Sequence, residues 1–137
     1  MPVESDAELR ELLGLRTVAV VGCSTTPGKD AHEIPEYLVE HGYDVIPVNP
    51  NAEEVLGRPA YDSLSEVEEE IDVVDVFRPS DEVAGIVDEV LDREDVKVLW
   101  LQLRISDPDA EARAEEAGVH VVVDRCMKVE HQRLHAP

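Results

Sequence analysis

A chain of 137 residues, 43% of them apolar, is long enough for one globular core and too short for a second catalytic domain. Its 32 carboxylates against 12 basic side chains give a net charge of −20, which excludes a nucleic-acid partner, since no basic stripe is present to displace counterions from phosphates. No apolar run approaches the ~18 residues of a membrane span, and Cys23 and Cys126 form no CxxC pair, so a disulfide framework and a structural zinc site are both set aside.

The opening MPVESDAELRELLGLR has no apolar signal segment, so the expected setting is a soluble, cytoplasmic protein with reduced thiols and no membrane partner. So large a like charge repels itself unless salt screens it, down to a Debye length of ~3 Å at 1 M, and the balance points to a halophilic, salt-loaded cytoplasm. Periodic apolar segments argue against disorder. One domain is expected over 1–137, with its core over about 17–134; the oligomeric state is open and compatible with a homodimer.

In chain order, Leu9, Leu12 and Leu13 mark one face of a short first helix, with Ser5 as its N-cap. Thr17 to Gly22 reads as a buried strand. Ile34, Tyr37, Leu38 and His41 recur at helical spacing, giving a helix over Ala31 to His41 that Gly42 ends. Tyr43 to Val48 is a second strand, and Glu54 to Leu64, broken by Gly57 and Pro59, holds a short edge strand. Asp72 to Phe77 is a strand. Val83, Ile86, Val87, Val90 and Leu91 line the following helix, capped by Ser80 or Asp81. Strands over Val96 to Gln102 and His120 to Arg125 flank an Ala-rich helix over Asp109 to Ala117, and a last helix spans Lys128 to Leu134. Strands alternating with helices imply right-handed crossovers, hence an α/β fold: one doubly wound, mainly parallel, Rossmann-like sheet with helices on both faces.

Such sheets bind ligands beyond the carboxyl ends of their strands, at the switch point. Lys29, Arg78, Arg104, Arg125 and Lys128 all follow strand ends, so five of the 12 basic residues are expected to form one basic rim facing an anionic ligand. The first turn, Gly22-Cys23-Ser24-Thr25-Thr26-Pro27, keeps only the first glycine of the dinucleotide fingerprint G-x-G-x-x-G. Ser24 offers a hydroxyl and Lys29 a point charge at the mouth of the next helix, where backbone amides attract anions. The second strand ends in Val48-Asn49-Pro50, where a ribose-binding acid belongs in nicotinamide enzymes. The turn thus reads as a phosphate cradle for a different nucleotide. The five histidines show no metal spacing, and Gly22 to Thr26 lacks the last glycine of a G-x-S-x-G nucleophile elbow, so neither a metal nor a catalytic residue is assigned. Trp100, mid-strand, reads as core, and Gln102, at that strand's end, as a site candidate.

The stretches VVGCSTTPGKD, EHGYDVIPVNPNAEEVLGRPAYDSL, IDVVDVFRPSDEV, VKVLWLQLRIS and VVVDRCMKVEHQRL, in this order from Thr17 to Leu134, resemble the small coenzyme A-binding domain proteins. That family is similar to the CoA-binding half of the succinyl-CoA synthetase α subunit. One departure is Arg104, where relatives usually carry glycine. The resemblance implies a site for CoA or acyl-CoA in which Ser24, Thr25 and Lys29, with Gly22 in the turn, hold the pyrophosphate. Val48, Asn49 and Pro50 would pack against adenine and ribose, with Phe77 and Arg78 closing the other side and Gln102 nearby. It implies a binding module without catalysis of its own; the alternatives are a component of an acyl-CoA synthetase acting in trans and a nicotinamide-dependent oxidoreductase. Cys126, between Arg125 and Lys128, is expected to be the more electropositive thiol and to form a mixed disulfide with bound CoA.

Overall fold

The computed structural model describes residues 2–136. Ser5 caps the first helix, its hydroxyl accepting from the Glu8 amide, and α1 runs Asp6–Leu12. The remaining major elements are β1 (Thr17–Val21), α2 (Asp30–Glu40), β2 (Asp44–Val48), β3 (Glu54–Val55), β4 (Arg58–Pro59), β5 (Val73–Val76), α3 (Val83–Arg93), β6 (Val98–Leu101), α4 (Pro108–Glu116), β7 (His120–Val122) and α5 (Met127–Arg133).

Five of the strands form one parallel sheet in the order β2-β1-β5-β6-β7. The chain first steps outward from β1 to β2, then crosses back over β1 to continue through β5, β6 and β7. Alternation along each strand sorts its side chains to two faces. Val18, Val20, Val45, Val73, Val98, Trp100 and Val122 meet Leu9, Leu12 and Leu13 of the α1 region, Leu38 of α2 and Met127 of α5. Ala19, Ile46, Val74, Val76, Leu99, Leu101 and Val121 meet Val83, Ile86, Val87 and Val90 of α3 and Ala110 and Ala114 of α4. The sheet is therefore doubly wound, with helices on both faces. Each fully buried Leu or Val contributes roughly 1.5–3 kcal/mol as an upper estimate, so the two layers carry most of the stability.

Two local expectations change. The segment after β2 adds no edge strand of its own length; β3 and β4 pair only with each other, and Tyr61 alone bridges to Val48 on the open edge of β2. Neither Ser80 nor Asp81 caps α3: residues 80–82 form a 3₁₀ turn that leads into the helix, and the Ser80 hydroxyl instead accepts from the Ser106 amide. Trp100 is core as expected, 1% exposed, its indole N–H donating to the Arg125 carbonyl at 2.8 Å. No described helix is long and apolar enough to cross a membrane.

Candidate functional site

The crossovers reverse direction between β1 and β5, so the loops leaving these strands part and open a crevice. Gly22 starts the first of them at φ +89°, a conformation that costs glycine little. A β-carbon there would sit 2.8 Å from Cδ of Arg78, so the bare glycine lets the Arg78 stem lie across the turn. The three strand ends are tied together, Gly22 N donating to Val48 O and Phe77 N to Val21 O, each at 2.9 Å.

Pro35 lies inside α2 and has no N–H for the Ala31 carbonyl four residues back. The Ser24 amide donates to that carbonyl instead, at 2.9 Å, and so pins the loop to the helix. The Ser24 hydroxyl accepts from the Thr26 amide at 3.0 Å. Asn49 braces the same loop: its amide group donates to the Cys23 carbonyl and its side-chain oxygen accepts from the Asn51 amide, both at 2.8 Å.

These elements enclose a cleft of about 570 Å³. Of the eleven residues singled out from the sequence, Gly22, Ser24, Lys29, Val48, Asn49, Pro50, Phe77 and Arg78 line it, and Thr25, Gln102 and Cys126 do not. The Lys29 ammonium has no carboxylate or hydrogen-bond partner among the described residues. Arg78, by contrast, is held by Glu82 through two hydrogen bonds of 3.1 and 2.7 Å. That contact raises the Arg78 pKa and lowers that of Glu82.

Of the five basic residues that follow strand ends, Lys29 and Arg78 line this cleft. Arg125 donates to Glu130 at 2.7 Å, and the Lys128 ammonium lies 5.3 Å from the centre of the Tyr37 ring. Neither lines the cleft, and nor does Arg104. Arg104 has φ +69°, a left-handed conformation that favours glycine, and its amide donates to Asp124 at 2.7 Å.

Gln102 is 4% exposed and donates to the Oδ1 of Asp75 at 2.6 Å beneath the sheet edge. The other oxygen of Asp75 has no hydrogen-bond partner among the described residues, and full burial pushes its pKa up to about 7 against the opposing effect of the Gln102 bond. Both thiols are buried. Burial, with a smaller contribution from Asp75, pushes Cys23 up to about 12. Cys126 lies off the cleft lining, and burial raises its pKa against the opposing amides of Val129 and Lys128.

Asp62, Glu82, Ile86 and Glu89 also line the cleft and were not among the site candidates read from the sequence. The 3.6-residue period of α3 places Ile86 and Glu89 on one helical face, with Glu82 in the turn that leads into it, a signal the sequence did contain. Asp62 follows the single bridge at Tyr61, which leaves no periodic trace.

A family model described as a CoA binding domain matches residues 16–132. The chain belongs to this family. Among members and relatives of the CoA-binding domain family, the uncharacterized protein YneT of Bacillus subtilis is 38% identical over 128 residues, 93% of this chain and 94% of that protein. An ADP-forming acetate–CoA ligase II of Archaeoglobus fulgidus is 36% identical over 86 residues, which are 61% of this chain but 12% of the ligase. The structure of a hypothetical protein from Pyrococcus horikoshii superposes with a TM-score of 0.93 at 40% identity, covering 98% of this chain and 96% of that one. This CoA-binding domain is thus related both to proteins of its own length and to a small part of much longer ligases.

Proposed function

We propose that the chain binds coenzyme A or an acyl-CoA at the carboxyl edge of the sheet, as a nucleotide-binding module without chemistry of its own. The observation that carries this reading is Lys29. In a chain with 32 carboxylates and 12 basic residues, its ammonium has no acidic partner among the described residues, at the N-cap of α2 in the switch-point cleft. An unpaired cation beside helix amides is suited to a pyrophosphate. Ser24 and Gly22 shape the turn, Val48 and Pro50 give adenine an apolar wall, and Phe77, just past the end of β5, lines the same cleft. Family membership agrees with this chemistry. The residues lining the cleft include no histidine or cysteine, and the described residues contain no metal-binding cluster.

The test is Lys29→Ala. Loss of one charge-assisted contact, ~1.5–3 kcal/mol, should weaken CoA roughly ten- to hundredfold at moderate ionic strength. Melting should hardly change, because the exposed ammonium supports nothing in the fold. Unchanged affinity in this variant would reduce the loop to a connector. A role as a component of an acyl-CoA synthetase in trans is the second reading, and the relationship to acetate–CoA ligase favours it. It predicts the same binding plus stimulation of a separately supplied ligase partner.

A further inference from the structure

We propose that Asp62 reads the ribose of the bound nucleotide, accepting a hydrogen bond from its free 2′-hydroxyl and excluding ligands that carry a phosphate there. The inference rests on the CoA reading above, because the ribose of CoA bears its phosphate on the 3′ oxygen and leaves the 2′-hydroxyl as a donor.

The placement of Asp62 follows from backbone pairing. Tyr61 N donates to Pro47 O at 3.0 Å and Asn49 N donates to Tyr61 O at 2.8 Å, so Tyr61 is a one-residue extension of the sheet beyond the edge strand β2. The Tyr61 hydroxyl donates to Glu69 at 2.7 Å and anchors the segment from its far side. The next residue, Asp62, therefore stands beside the carboxyl end of β2 and lines the cleft with Asn49 and Pro50. In doubly wound nucleotide folds an acid at the end of the second strand accepts ribose hydroxyls. Here β2 itself ends in Val48 and Asn49, and the acid reaches that edge from the neighbouring segment.

Three carboxylates line the cleft, and two are already engaged. Glu82 holds Arg78. Glu89 accepts from the amide and hydroxyl of Ser65, at 3.1 and 3.0 Å, tying the 3₁₀ turn at 64–66 to α3. Asp62 has no hydrogen bond or ion pair among the described residues, although Lys29 lines the same cleft. A carboxylate in this position can accept from a hydroxyl and repels a phosphate on the same oxygen.

Two isomeric probes of equal charge isolate the effect: adenosine 3′,5′-bisphosphate, with a free 2′-hydroxyl, and adenosine 2′,5′-bisphosphate, without one. Titration calorimetry at one fixed salt concentration is run on the wild type and on Asp62→Asn. The wild type should prefer the 3′,5′ isomer at least tenfold. The variant should narrow that preference to about threefold or less, chiefly by accepting the 2′,5′ isomer better. Equal binding of both isomers to the wild type, or an undiminished preference in the variant, overturns the role of Asp62 and leaves the nucleotide site standing. Failure of both isomers and of CoA to bind overturns the nucleotide site and the role of Asp62 together.

Discussion

Replacing Gly22 by alanine is expected to lower stability by ~1–3 kcal/mol and to weaken CoA binding at least tenfold. The cause has two separable parts. The backbone at φ +89° is unfavourable for any residue with a β-carbon, and that carbon would also stand 2.8 Å from Cδ and 3.2 Å from Cγ of Arg78. The arginine stem can shift, but only by leaving the cleft wall and straining its bidentate contact with Glu82. Chemical denaturation of Gly22→Ala, with and without Arg78→Ala, distinguishes the two. Removing the arginine stem should restore the part due to contact and leave the part due to the backbone. If Gly22→Ala matches the wild type in both stability and binding, the tight approach of these two loops does not matter.

The second large effect concerns Asp75. Its folded pKa is raised to about 7 by burial, against an ordinary value of 3.8. Between these values the native state keeps a proton that the unfolded chain releases, so this group's contribution is fully present below about pH 4 and is lost as pH rises through 7. From pH 5 to pH 8 the wild type should lose roughly 2–3 kcal/mol through this carboxyl. Asp75→Asn keeps an oxygen for the Gln102 amide and cannot ionise, so its stability should be flatter over the same range. Cys23 and Cys126, whose thiols interact with Asp75, have pKa values raised by burial and stay neutral there. Urea midpoints at pH 5, 6, 7 and 8 for the two proteins decide the matter, because histidine titration is common to both and cancels in the difference. Parallel curves would mean that the carboxyl titrates as it does in water.

Much of this architecture was legible in the sequence, because burial leaves a periodic trace. The β-branched run of β1, the helical spacing of Ile34, Tyr37 and Leu38, and the alternation of strands with helices together specify the doubly wound sheet. Strand ends then locate the cleft, and for that reason Gly22, Ser24, Lys29, Asn49 and Arg78 could be assembled before their distances were known. What escaped depends on single contacts. A one-residue bridge at Tyr61 has no period, so Asp62 was overlooked. The choice of Glu82 by Arg78, or of Glu130 by Arg125, is one among 32 carboxylates, and local charge order does not reveal it. The basic neighbours of Cys126 suggested an activated thiol, whereas its burial, which charge order does not reveal, raises its pKa. Pro35, within α2, leaves free the Ala31 carbonyl that fixes Ser24, a pairing that helical spacing alone does not reveal.

The cleft also changes the grounds on which a nicotinamide ligand is disfavoured. The sequence argument was the missing acid at the end of β2, but Asp62 stands beside that end. Preference for CoA now rests on its additional phosphate, on the unpaired Lys29 and on family membership. Titration calorimetry of CoA, ADP and NAD against the wild-type protein, at one salt concentration high enough to screen its net charge of −20, tests this directly. The account predicts saturable binding of one CoA per chain, with ADP weaker and NAD weaker still. Binding of NAD as tight as that of CoA, or no saturable binding of CoA, would contradict it.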